Sequence, residues 1–70
     1  MELLIEFIER CLHNAADIGH IEFFRHQAFG ATMFFQELML SQGVDSETIE
    51  QIGELWNTDY RDRFDALHLK

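Results

Sequence analysis

Residues 20–41 read HIEFFRHQAFGATMFFQELMLS, and apolar side chains recur along this stretch with the spacing of an amphipathic helix. The apolar positions follow a 3-4-3-4-3 pattern: Ile21, Phe24, Ala28, Ala31, Phe35 and Leu38. This is the a and d pattern of successive heptads, which predicts a helix packed against other helices. The small side chains of Ala28 and Ala31, at its centre, would let a neighbouring helix come close.

A second apolar strip runs along a different side of the same predicted helix and consists of Phe29, Met33 and Leu40. A helix that is apolar on two sides is usually buried on both. We therefore predict that this helix lies between two others, and that the second strip packs against another copy of the chain. If all three side chains leave water, each contributes roughly 1.5–3 kcal/mol to the association.

A first helix is predicted over about residues 2–17, where an apolar stripe faces away from a row of acidic side chains. That stripe contains Leu4, Ile8, Cys11 and Ala15. At about 100° per residue, it lies roughly opposite the stripe of residues 20–41. A break at Ile18 and Gly19 removes the conflict, because glycine readily takes the left-handed conformation that ends helices. The alternative is one long helix whose two halves have different partners.

A third helix is predicted over about residues 46–68, after Gly43 as terminator and Asp45 or Ser46 as N-cap. Its apolar stripe consists of Ile49, Ile52, Trp56, Tyr60, Phe64 and Leu67. Aromatic side chains one turn apart anchor cores, but they are also favoured at the centres of interfaces. We therefore include Trp56 and Tyr60 among the predicted interface residues. A pair between Asp59 and Arg63, at i and i+4, is also predicted.

These segments predict an all-α fold in which residues 1–70 form one three-helix domain that associates as a homodimer. A chain of 70 residues buries only about 60% of its unfolded surface, so small domains usually add a disulfide, a metal or a partner subunit. Cys11 is the single cysteine, and 47% of the residues are hydrophobic, which favours the partner subunit. The lone cysteine and the lack of a signal-peptide pattern predict a cytoplasmic protein.

The formal net charge of −8 restricts the partners of the chain. It repels phosphate backbones and anionic membrane surfaces, and no apolar run approaches the roughly 20 residues of a membrane span. We expect no direct binding to nucleic acid or membranes, whereas a basic protein partner remains open. The outer side of the third helix carries an acidic row: Glu47, Glu50, Glu54, Asp62 and Asp65. An alternative function is therefore an acidic decoy that inhibits a nucleic-acid-binding protein by mimicking phosphates.

The histidines are the main candidates for metal binding or catalysis. His13 lies one turn from Glu9 and from Asp17, and His26 lies one turn from Glu22. Such pairs can place two ligands on one metal, but the inward Glu-x-x-His spacing of di-iron bundles does not occur here. We expect a solvated polar side instead, with Glu9 and His13 facing outward. A metal-binding helical bundle using His13 or His26 is the second alternative.

No catalytic site is predicted from the sequence. Cys11 lies within an apolar stripe, which is typical of an inert buried thiol. The glycine-rich phosphate-binding motifs and the G-x-S-x-G nucleophile motif do not occur. By helical phase the acidic residues lie on outer sides and not paired in a pocket. The sequence therefore predicts a small acidic, non-enzymatic protein–protein interaction module that forms a homodimer and needs no cofactor or metal.

Overall fold

The computed structural model describes residues 2–69 of the chain. Its elements are α1 (Glu2–Ile18), α2 (Ile21–Ser41), α3 (Ser46–Glu54), a π-helical segment (Leu55–Tyr60) and α4 (Arg61–Leu67). The last three follow one another without a break and form one rod, which we call the C-terminal helix. Residues 2–69 contain no strand, so the predicted all-α, three-helix fold is confirmed. Met1 and Lys70, the ends of the predicted domain, lie outside the described residues.

The helical conformation is interrupted between α1 and α2, next to the predicted break at Ile18 and Gly19. Gly19 has φ +94° and His20 has φ +52°, so two successive residues take the left-handed conformation. The amide of Gly19 still donates to the carbonyl of Ala15 at 3.1 Å, which closes the last turn of α1. The alternative of one long helix is therefore wrong, and α1 and α2 pack side by side along their lengths.

The end of α2 is a Schellman motif built on Gly43, which has φ +78°. The amide of Gly43 donates to the carbonyl of Leu40 at 3.1 Å, and the amide of Val44 donates to that of Met39 at 3.0 Å. These two bonds satisfy carbonyls that the helix end would otherwise leave unpaired. Asp45, in an extended conformation, is the N-cap residue of α3, which begins at Ser46.

The core is formed mainly by α1 and the C-terminal helix. Their buried side chains are Leu4, Ile8, Cys11, Leu12 and Ala15 from α1, and Ile52, Trp56, Tyr60 and Phe64 from the C-terminal helix. In α2 only the small Ala28 and Thr32 are buried. α2 packs against both α1 and the C-terminal helix, in keeping with its predicted middle position, but α1 also contacts the C-terminal helix directly. The three helices therefore enclose one core, and the second apolar side of α2 is not needed to complete it.

The π-helical segment keeps four buried side chains on one stripe. Ile52, Trp56, Tyr60 and Phe64 are spaced by four residues, and each such step drifts by about 40° around an α-helix. Three steps would turn Phe64 about 120° away from the core. The amide of Arg61 donates to the carbonyl of Trp56, five residues earlier, so the segment accommodates one extra residue. The stripe is thereby brought back into phase, and all four side chains are buried.

The molecule is long in one direction, with principal extents of 41 × 17 × 17 Å. Its radius of gyration of 12.5 Å exceeds the value of about 11 Å expected for a compact domain of this length. Each helix therefore has a long outer side that no other helix of the chain covers. Within residues 2–69, no helix combines the length and the apolar character that crossing a bilayer requires.

Candidate interaction surface

The solvent-exposed side of α2 carries many apolar side chains. Six large apolar side chains on it are each between 41% and 70% exposed: Phe23, Phe29, Met33, Phe34, Leu38 and Leu40. We call this surface the outer face. Other exposed apolar side chains, such as Leu3 and Leu69, lie outside α2. Scattered single residues of that kind are normal, whereas a group of large exposed apolar side chains on one helix is a candidate binding site.

The outer face consists of two ridges. At about 100° per residue, the six side chains fall into two strips about 120° apart around α2. Ridge A is Phe29, Met33 and Leu40, and ridge B is Phe23, Phe34 and Leu38. Between the ridges runs a trough that contains His26, Gly30 and Glu37, all of them exposed. Gly30 leaves the floor of the trough without a side chain at that point. A Cβ atom there would meet no atom within 4 Å.

The structure places the five predicted interface residues in two different environments. Phe29, Met33 and Leu40 are 43%, 45% and 61% exposed, so they leave surface for a partner. Trp56 and Tyr60 are buried inside the chain at 3% and 5% exposure, where they complete its core. We therefore leave Trp56 and Tyr60 out of the candidate surface.

Sequence reasoning missed ridge B. Leu38 belongs to the predicted a and d stripe, and Phe23 and Phe34 belong to neither predicted strip of this helix. A signal was present, because Phe23 and Phe34 are eleven residues apart and therefore about 20° apart around a helix. Phe34 is the most exposed side chain of the outer face, at 70%.

Ridge A is joined to the core through Phe29. The ring centroid of Phe29 lies 5.6 Å from that of Trp56, which in turn lies 5.7 Å from that of Phe64. The guanidinium of Arg25 lies 5.9 Å from the Trp56 centroid and also pairs with Asp65 at 3.1 Å. Since the core fixes the position of Phe29, ridge A is a preorganised edge of the outer face.

A polar cluster connects α1 to the C-terminal helix on another side of the molecule. The Tyr60 hydroxyl donates to Oε1 of Glu9 at 2.8 Å, and Arg63 donates Nη1 to the same oxygen at 3.0 Å and Nη2 to Oε2 at 3.4 Å. One expectation is corrected here. The Glu9 side chain is 45% exposed, in keeping with its predicted outward position, but Arg63 pairs with Glu9 and not with Asp59, because α1 brings a carboxylate to which Arg63 can bind in a bidentate manner.

The same contacts shift ionisation within the cluster. The hydrogen bonds from Arg63 and then from Tyr60 hold the pKa of Glu9 below its ordinary value. Burial, followed by the hydrogen bond to Glu9, raises the pKa of Tyr60. The cluster is therefore an ionised carboxylate held by a guanidinium and a neutral phenol. Such an arrangement links two helices, but it offers no group that titrates near neutral pH.

The histidines fall into separate places. His13 is exposed and lines a groove between α1 and α4 that also includes Glu9 and Arg63. At the start of α2, the carboxylate of Glu22 lies 3.6 Å from His26 and 2.9 Å from His68. Across residues 2–69, no group of three or more His, Cys, Asp or Glu side chains is arranged to hold a metal ion.

Cys11 is the free thiol of the chain and is buried in the core. Burial raises the pKa of this thiol, because the thiolate would lose its hydration. A neutral, enclosed thiol is a poor nucleophile. The Cys11 side chain therefore contributes to the packing of the hydrophobic core.

Charge is distributed unevenly among the helices. Four carboxylates and one arginine give α1 a net charge of −3, and six carboxylates and two arginines give residues 46–67 a net charge of −4. In the 21 residues of α2, Glu22 and Glu37 against Arg25 leave only −1. The helix with the largest exposed apolar surface is thus also the least charged.

Comparison of the chain with protein-family models, with curated protein sequences and with solved structures gives no match.

Proposed function

We propose that this chain is a small acidic, non-enzymatic protein–protein interaction module that works as a homodimer through the outer face of α2. The observation that carries the proposal is the exposure of six large apolar side chains along one helix. These side chains remain 41–70% exposed in the single chain, so a partner is needed to remove them from water. The single buried cysteine is in keeping with a reducing compartment such as the cytoplasm.

The area of the outer face supports self-association. At roughly half exposure a large apolar side chain presents about 100 Å² to solvent, so six present about 600 Å². This is at the upper end of the largest apolar patch on a typical monomer, about 300–600 Å². Two copies would together bury about 1,200 Å², which is the lower end of the range for specific protein–protein interfaces.

Charge also favours a second copy at this face. The chain carries a net charge of −8, so two copies repel each other. This repulsion is weakest when the two copies meet along α2, which is the least charged helix. The acidic sides of α1 and the C-terminal helix then remain on the outside of the dimer. Because salt screens this repulsion, association should become tighter as ionic strength rises.

Sedimentation equilibrium at micromolar concentration tests the proposal. Phe34→Asp places a charge on the most exposed residue of ridge B and should weaken dimerisation by about tenfold or more. Ala16→Asp is the control, because Ala16 is also exposed but lines the groove between α1 and α4, on another side of the molecule. Circular dichroism checks that both variants remain helical. A monomeric wild-type chain, or equal loss of dimer in both variants, would contradict the proposal.

A second candidate function is the acidic decoy. Glu47, Glu50 and Glu54 are exposed on α3 and take part in no ion pair among residues 2–69. They could present carboxylates to a basic, nucleic-acid-binding protein. Binding of this kind weakens with salt, which is opposite to the salt effect expected for the dimer. A basic protein retained by the chain should be released from duplex DNA by wild type, but not by the triple Glu→Gln variant at these positions.

A further inference from the structure

Neither the backbone conformation nor a neighbouring atom of the chain requires glycine at position 30. It lies in the interior of α2, without the positive φ that would favour glycine. A Cβ atom at this position would meet nothing within 4 Å, so no neighbouring side chain excludes a larger residue. Glycine inside a helix is unfavourable relative to alanine because its backbone loses more conformational freedom. A close approach by something outside the chain would account for it.

The two ridges around Gly30 form a groove that can accept a second helix. Ridge A lies on one side of the trough and ridge B on the other, and the floor between them has no side chain at Gly30. The distance between two packed helix axes depends on the side chains at the contact point. A glycine in the trough allows the axes to approach closely, so that both ridges of one helix can contact the other.

The charged residues of the trough favour one direction for the second helix. If two copies of α2 cross at Gly30 in antiparallel orientation, residue 30 + n faces residue 30 − n of the second copy. Glu37 then lies about 4.5 Å along the axis from His26 of the second copy, within reach of a hydrogen bond. A parallel pair would place Glu37 against Glu37 and align the two helix dipoles, both of which are unfavourable.

We infer that two copies of this chain associate by crossing their α2 helices antiparallel at Gly30, with ridges A and B of each copy closing over the other. This inference rests on the proposed homodimer and adds its geometry. The pair is isologous, as expected for a two-fold symmetric dimer. Residue 30 of one copy therefore contacts residue 30 of the other.

Disulfide cross-linking of single-cysteine substitutions tests this geometry. In Gly30→Cys the two introduced cysteines face each other within the range of about 4.4–6.8 Å between Cα atoms that a disulfide needs. In Glu37→Cys, on the same trough, the corresponding atoms lie about 21 Å apart along the axis of an antiparallel pair. Cys11 stays in place because it is buried, and peptide mapping identifies which residues are linked.

We expect oxidation to give mainly a 30–30 linked dimer in Gly30→Cys, with several times less linked product in Glu37→Cys. If wild type sediments as a dimer but Gly30→Cys does not cross-link, the crossing point is wrong while the proposed function stands. Equal cross-linking at both positions would overturn the antiparallel direction. If wild type sediments as a monomer, the proposed function and this inference both fail, and the outer face belongs to a different partner.

Gly30→Leu provides a second measurement with a clear sign. On an open apolar surface an added leucine would strengthen association or leave it unchanged. At the crossing point of two helices the same side chain holds the axes apart, and we expect the dissociation constant to rise by about tenfold or more. A dissociation constant that is unchanged or lower would overturn the close approach at Gly30.

Discussion

The hydroxyl of Tyr60 donates a hydrogen bond of 2.8 Å to the carboxylate of Glu9, across 51 positions of the chain. This contact joins the π-helical segment to α1 at the level of the core. Arg63, on the next turn, binds the same carboxylate through two nitrogens and lies with its guanidinium carbon 5.2 Å from the Tyr60 ring centroid. The link connects the C-terminal helix to α1 beside the core.

Tyr60→Phe removes the hydroxyl and keeps the buried ring. We expect the free energy of unfolding to fall by about 1 kcal/mol, because one hydrogen bond to a partly exposed carboxylate is lost while Arg63 still holds Glu9. Urea denaturation followed by circular dichroism measures the change. Tyr60→Ala, which also empties part of the core, should cost about 3 kcal/mol or more. A Phe variant as unstable as the Ala variant would show that the hydroxyl, and not the ring, dominates.

The lowered pKa of Glu9 predicts how stability depends on pH. Since the folded-state pKa lies below the ordinary value of 4.5, the contribution of Glu9 is fully present above that value. It is lost as pH falls through the lower, folded-state pKa. The amplitude is small, because the Glu9 carboxylate is partly exposed and therefore screened.

Urea denaturation between pH 7 and pH 3 checks this pH dependence. Wild type should be more stable than Glu9→Gln at neutral pH, and the two curves should converge as the pH drops below about 4.5. Glu6→Gln, at an exposed α1 position outside the cluster, serves as the control and should follow the wild-type curve. A constant gap between wild type and Glu9→Gln down to the lowest pH would contradict an ionised Glu9.

Deletion of Asn57 should be tolerated, although it removes a residue from the middle of a helix. The shortened segment restores a regular α-helical spacing to Ile52, Trp56, Tyr60 and Phe64, so all four keep facing the core. We expect the variant to remain folded, with a midpoint of thermal unfolding close to that of wild type.

Deletion of the exposed Arg10 is the control for the Asn57 deletion. It shifts Leu4 and Ile8 by about 100° relative to Cys11 and Ala15, and regular α1 has no extra residue to absorb the shift. This variant should lose cooperative thermal unfolding by circular dichroism. Equal damage from both deletions would mean that the π-helical segment does not correct the phase of the core stripe.

Two glycine-to-alanine substitutions should have different effects on stability. Gly30→Ala meets open space and should stabilise the monomer by about 0.5–1 kcal/mol through helix propensity. At Gly53 a Cβ atom would lie 2.9 Å from Nε2 of Gln36, which donates to the carbonyl of Ile49. Gly53→Ala should therefore displace that hydrogen bond and lose most of the same gain.

Chemical denaturation in a Phe34→Asp background measures the free energy of unfolding of both glycine variants. The Phe34→Asp change weakens association, so that unfolding of the monomer is measured without dissociation of a dimer. The expected order of stability places Gly30→Ala first, with Gly53→Ala close to the parent. The reverse order would show that Gly30 has an internal packing role.

Features that depend on neighbouring residues were predictable from the sequence. The break at Gly19 and the end of α2 at Gly43 follow from the freedom of glycine to take positive φ, which is a local property. The exposure of Phe29, Met33 and Leu40 on a second side of α2 followed from helical phase alone. Three helices of nearly the predicted bounds resulted from these local rules.

Features that depend on which helices meet required the tertiary structure. Helical phase placed Glu9 on the polar side of α1, but its partners Tyr60 and Arg63 come from residues more than 50 positions away. Trp56 and Tyr60 were equally suited to a core or an interface, and only the packing of the C-terminal helix against α1 and α2 buried them. Periodicity along one helix shows that an apolar side must be covered, whereas the choice of what covers it depends on long-range contacts, which have no local signal.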